Sequence, residues 1–129
     1  MDAVTRATEE LVQVELNERE AGGSLSLLTI KNTQTFIDNA MSPEQVYAVI
    51  SNNKEEIFID YISGPWRISF NIEDDYLFGS IKAGNFSSMY GYVIGKDKIP
   101  YETFKLQIDR MTVFTEKANP NWRELFTSN

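Results

Sequence analysis

The sequence predicts an α+β fold: a four-stranded antiparallel β-meander flanked by N-terminal helices and a C-terminal helix. Three observations carry this expectation. Apolar and polar residues alternate from about Glu56 to Ile94, with turn-forming residues between the runs. Apolar residues recur at spacings of three and four near both ends of the chain. Between these regions, Ser42-Pro43-Glu44-Gln45 carries the residues of a helix start. A length of 129 residues suits a single domain with its own core. Apolar residues at 42% and charged residues at 24% are the balance of a folded chain rather than a disordered one.

The elements follow in order. Val4, Ala7, Leu11 and Val14 mark a helix from about Asp2 to Ala21, stopped by Gly22-Gly23. Glu15 and Glu18 project close to its narrow apolar stripe, so residues 1–23 are expected to form a peripheral helix or a binding arm. Leu25 to Ile30 reads as a short strand. At Ser42 the hydroxyl can cap a free amide, Pro43 suits a first helical turn and Gln45 completes a capping box, which predicts a helix from Pro43 to about Ser51. Four strands are then expected, over Ile57–Ile62, Trp66–Ile72, Tyr76–Ala83 and Phe86–Ile94, joined by Ser63-Gly64-Pro65, Glu73-Asp74-Asp75 and Gly84-Asn85. Tyr101, Phe104, Ile108 and Met111 return to helical spacing and predict a helix to about Lys117, after which Trp122, Leu125 and Phe126 form a short apolar tail.

Composition excludes several chemistries. The chain has no histidine and no cysteine, so Ser-His-Asp and Cys-His catalysis, disulfides and the usual zinc sites are all ruled out. A net charge of -7, with Lys and Arg scattered singly, argues against direct nucleic-acid binding. No apolar run approaches the roughly 18 residues needed to span a bilayer. The start MDAVTRATEE lacks the basic and apolar stretches of a signal peptide, so a cytoplasmic protein without membrane contact is expected. Asn85-Phe86-Ser87 matches a glycosylation acceptor, read as chance in that context.

The remaining constellations are weak in chemical content. Three consecutive acids at Glu73-Asp74-Asp75 do not converge as calcium ligands do, and read as a solvated turn. Gly79, Gly91 and Gly95 lack phosphate-loop spacing. Carboxylate pairs such as Glu55 with Asp60, or Asp74 with Asp109, carry no signature of acid and base chemistry. An acidic first helix invites comparison with a phosphate backbone, but acid confined to one element reads more simply as a solvated face.

These readings leave a non-enzymatic protein-protein interaction module as the expected function: an inhibitor, chaperone or assembly factor of bacterial or phage origin, without cofactor or metal. Its expected partner-binding surface is an aromatic patch of Tyr76, Phe78, Tyr90 and Tyr92, and the uncovered edges of a sheet make a homo-oligomer a second expectation. The alternative from another class is a small-ligand binder or carboxylate-based enzyme. Its pocket would lie between the sheet and the C-terminal helix, lined by Trp66, Phe70 and Phe104, with Arg67 or Tyr90 as the polar group.

Overall fold

A computed structural model describes residues 1–126. The element order is α1 (Ala3–Glu20), α2 (Leu27–Ala40), β1 (Val49–Asn52), β2 (Ile57–Ser63), β3 (Trp66–Ile72), β4 (Tyr76–Ala83), β5 (Phe86–Val93), α3 (Tyr101–Ala118) and a 3₁₀ turn at Trp122–Phe126. The sheet has five strands in the order β1-β2-β3-β4-β5, with every neighbouring pair antiparallel. This corrects the expected four-stranded meander, whose strands appear as β2 to β5. The added strand is β1, and it stands where the sequence predicted a helix from Pro43 to Ser51.

The reason is a capping box without a helix behind it. Gln45 Oε1 does accept from the Ser42 N–H at 3.0 Å, and the Gln45 N–H donates to the Ser42 carbonyl at 3.2 Å. The side-chain amide of Gln45, however, donates to Asp109 Oδ1 at 2.9 Å and to the Ala40 carbonyl at 3.3 Å, which ties this single turn to α2 and α3. The Val46 N–H then donates to Thr112 Oγ1 at 3.0 Å instead of continuing a helix. Beyond it the chain alternates: Val46, Ala48 and Ile50 are buried while Val49 is 56% exposed. Period two has won over period 3.6, and Ile50 and Val49 register with Ile59 and Asp60 of β2.

The expected strand at Leu25–Ile30 is likewise replaced, by the start of α2. Ser26 Oγ accepts from the Thr29 N–H at 3.0 Å and caps the helix, worth about 1 kcal/mol. The buried stripe of α2 is Thr29, Thr33, Phe36, Ile37 and Ala40. Two of its five members are threonines, and the Thr33 hydroxyl donates to the Thr29 carbonyl at 2.9 Å, so it enters the core satisfied. At the other end, Leu27 and Leu28 face water.

The helices α1 and α3 fall where helical spacing places them. Asp2 caps α1, accepting from the Thr5 N–H at 2.7 Å, and Ala3, Ala7, Leu11 and Val14 are buried against α2 and β1. On β2 and β3 the inward residues Ile57, Ile59, Tyr61, Ile68, Phe70 and Ile72 meet α2 and α3. Phe36 of α2 lies 4.6 Å from Phe70 and 6.2 Å from Phe104 of α3, centroid to centroid, and Phe70 lies 5.0 Å from Phe104. These three rings join both helices to the sheet, and the core sits entirely on this one side of it.

Candidate functional site

Pairing register divides the sheet residues between two faces. Ile59, Phe70, Gly79 and Tyr90 form one cross-strand row, and Ile57, Ile72, Leu77 and Tyr92 another, both turned toward the helices. Phe58, Asn71, Phe78 and Gly91 form a row on the opposite face, as do Val49, Asp60, Ser69, Ser80 and Met89. The helices that pack on strands do so from the first side or along β1, and Phe126 of the 3₁₀ turn stands by Asp60, Ile62 and Arg67 at one corner of the second. Among the described residues no helix crosses the rest of this second, open face. Its rows mix half-buried aromatics with Ser, Asn and exposed aliphatics such as Ile62 and Met89.

The expected aromatic patch is therefore split. Tyr76 and Phe78 lie half-buried on the open face. Tyr90 and Tyr92 lie on the helix side, half-buried against Phe104 at 5.5 Å and 6.1 Å. The Tyr90 hydroxyl donates to Gln107 Oε1 at 3.3 Å, and burial pushes its pKa up to about 12. Alternation along one strand does not say how two neighbouring strands are phased. The two-residue Gly84-Asn85 turn sets that phase, placing even-numbered residues of β4 opposite odd-numbered residues of β5. The aromatics that share a face with Tyr76 and Phe78 come from β2, as Phe58, rather than from β5.

The alternative ligand pocket is closed. Phe70 and Phe104 are fully buried, and the Phe36 ring fills the space between sheet and helix. Trp66 lies on the helix side near Phe114, 6.3 Å away, while Arg67, one residue on, projects from the open face. Arg67 and Phe70 thus lie on opposite sides of the sheet and cannot line one pocket. A different cavity, of about 330 Å³, opens at the C-terminal end of α3, between Tyr47, Ile62, Phe114 and Trp122. The apolar tail signalled it: Trp122 is buried edge-on to Tyr47 at 5.0 Å, and its indole N–H has no partner among the described residues.

Charge is distributed along the strands of the open face. Arg67 and Lys82 are directly opposite one another in the β3-β4 register and both are exposed. Neither has an ion pair among the described residues. Asp60, the carboxylate on the neighbouring row, instead accepts from Ser69 Oγ at 2.7 Å. At the other end of the strands Glu56 accepts from the Asn71 amide at 3.3 Å, and the β3-β4 turn adds Glu73, Asp74 and Asp75. Burial raises the Glu73 pKa first, and repulsion from Glu56, Asp75, Glu55 and Asp74 raises it further. Among the described residues no cluster of three or more acidic, His or Cys side chains is arranged to hold a metal ion, and no helix is long and apolar enough to cross a membrane.

Comparison of the chain with protein-family models, with curated proteins and with solved structures finds no match in any of the three.

Proposed function

We propose that this chain is a non-enzymatic protein-binding module whose open sheet face docks another protein. The observation that carries this reading is the face itself, which has an aromatic centre of Phe58 and Phe78 in one cross-strand row, bordered by Tyr76 and the exposed aliphatics Ile62 and Met89, and no helix across it among the described residues. Aromatic side chains set among Ser and Asn are the composition of protein interfaces, offering large rigid contact area together with adaptable hydrogen bonding. Arg67 and Lys82, which have no ion pair among the described residues, add a preference for a partner with a carboxylate near its apolar contact. Like charges directly opposite on a sheet are unfavourable, and an incoming anion relieves them. The acids at the opposite end fix which way round the partner lies.

The test is capture of a binding partner from the source lysate by three forms of the chain. Wild type and a Leu106→Ser variant, changed on the exposed side of α3, are expected to retain the same partner. A Phe58→Ser/Phe78→Ser double variant that still folds is expected to lose it. Retention by the double variant would sink this reading.

One observation favours a second reading, a small apolar ligand with a hydrogen-bond acceptor in the cavity beside Trp122. The buried indole N–H without a partner is the kind of group such a ligand satisfies. A fragment screen that follows the Trp122 indole proton by NMR decides it: a specific downfield shift supports a ligand, and an unmoved signal across the screen removes it.

A further inference from the structure

The strand β5 forms one edge of the sheet and differs from the other edge. At the opposite side β1 is only four residues long, α1 packs against it, and Asn52 on that strand donates to Glu18 of α1 at 2.9 Å. By contrast β5, Phe86–Val93, runs for eight residues and contains no charged residue and no proline. These are the features with which edge strands ordinarily prevent further pairing. Its even-numbered residues pair with β4 through their backbone, continuing the hairpin that the Ile94 N–H closes onto the Asp75 carbonyl at 2.9 Å. The odd-numbered residues Ser87, Met89, Gly91 and Val93 therefore turn their N–H and C=O groups outward. Val93 is already satisfied: its N–H donates to Asp97 Oδ2 at 2.7 Å, and its carbonyl accepts from the Asp97 N–H at 2.9 Å. Ser87, Met89 and Gly91 have no such partners among the described residues.

We infer that β5 pairs antiparallel with β5 of a second copy of this chain, about a two-fold axis at Met89, joining the two sheets into one. The sequence is self-complementary in that register. Met89 stands opposite Met89 of the second copy and Ser87 opposite Gly91, so all three outward residues of each copy exchange both hydrogen bonds. On the open face Met89, now 67% exposed, covers its own counterpart, and the small Ser87 faces the Gly91 position already overlaid by Tyr76. On the helix side Phe86, 61% exposed, comes opposite Tyr92, a cross-strand aromatic pair. The ladder ends at Val93, where the Asp97 turn closes the edge.

Charge permits this association in an acidic protein. Residues 82–110 carry Lys82, Lys96, Lys98, Lys105 and Arg110 against Asp97, Glu102 and Asp109, a net positive stretch in a chain of net charge -7. Two copies meeting at β5 bring together their least acidic segments. A second copy fits better than an extended peptide of another protein, because the two-fold pairing also buries Met89 and Phe86, each against a matching apolar group.

The experiment is the solution mass of the full chain by light scattering, together with amide hydrogen exchange. Wild type is expected at twice the monomer mass, with Ser87, Met89 and Gly91 amides protected like those of Ser88 and Tyr90. Met89→Lys puts two cations opposite each other and is expected to halve the mass, and mixing it with Met89→Glu is expected to restore the dimer. A wild-type monomer with fast exchange at these amides overturns the proposal, as does a Met89→Lys dimer, which would place the contact elsewhere. A monomer whose three amides become protected only with an added extended peptide overturns self-pairing in favour of strand capture. Exchange on the wild type decides the matter even if a variant fails to fold. Open-face partner binding and mass are read separately, so either proposal can fail alone.

Discussion

The ring of Tyr90 lies across Gly79, its direct partner in the β4-β5 register, in the space that a β-carbon at Gly79 would need. That glycine lets an aromatic ring from an edge strand lie flat on the sheet and stack on Phe104, 5.5 Å away and inclined by 12°. On the opposite face the Tyr76 hydroxyl occupies the corresponding space at Gly91. One hairpin thus carries two glycine-aromatic contacts, one on each side.

The two contacts should respond differently to substitution. Gly79→Ala drives a methyl into ring carbons that Phe104 holds from the other side, and a loss of about 1–3 kcal/mol is expected. At Gly91→Ala only the far end of a half-exposed Tyr76 must move, so the loss should be under about 1 kcal/mol. Urea titrations of the two variants check this. A Gly79→Ala/Tyr90→Ala double variant no worse than Tyr90→Ala alone would show that the ring is what the methyl meets.

Gln45 is a buried amide with all its partners at hand, and removing it strands several groups at once. Gln45→Leu leaves the Ala40 carbonyl, the Ser42 N–H and Asp109 Oδ1 each short of a partner, and a loss of about 1–3 kcal/mol is expected in thermal or denaturant unfolding. The companion contact from the Val46 N–H to Thr112 predicts a similar but smaller loss for Thr112→Val. A neutral result at Gln45 would mean that the turn is held by its backbone alone.

Lys82→Glu is expected to stabilise the fold and weaken the function. Opposite Arg67 it converts a like-charged cross-strand pair into an attractive one, a gain of about 0.2–1 kcal/mol at low salt. The same change removes a cation from the proposed partner surface, so captured partner should fall while the melting temperature rises. Loss of both together would point to damage to the fold instead.

The acidic turn predicts a pH dependence. Folding raises the Glu73 pKa above its ordinary 4.5, chiefly by burial and then by the surrounding carboxylates. The native chain therefore holds this proton more tightly than the unfolded one. The stability this contributes is present below about pH 4.5 and is lost as pH rises through the raised native value. Glu73→Gln should accordingly melt higher than wild type at neutral pH, with the difference closing in acid and shrinking in high salt. Asp2 acts in the opposite sense: its carboxyl is held below the ordinary range by the Thr5 N–H, and its capping contribution fades as pH falls through that lowered value.

Much of the layout was legible from pattern. The four strands from Ile57 onward and the helices α1 and α3 each announce one period clearly. The failures share a cause, a local signal outweighed by contacts from far along the chain. Gln45 looks like a helix start until Asp109 claims its amide, and Leu25–Ile30 looks like a strand because the inward face of α2 begins on threonines. The proposed binding surface was half legible. Tyr76 and Phe78 reach the open face, but the phase of β5 relative to β4 depends on a turn geometry that alternation within one strand does not contain. Phe58 joins them through the registers of β2 with β3 and β3 with β4, while Arg67 and Phe70 share one strand, whose own alternation already sets them on opposite faces.

Strand order here is also chain order, so each strand finds its partner across nothing longer than a turn. Closing short loops is fast, and topologies rich in such contacts fold quickly. The contacts that span the chain are those of the helices: α1 to β1, and α3 to the Gln45 turn. The meander can zip up before these arrive, with its apolar side briefly bare. On such an order of assembly the helices are latecomers that seal one side of a finished sheet and leave the other uncovered by any helix among the described residues.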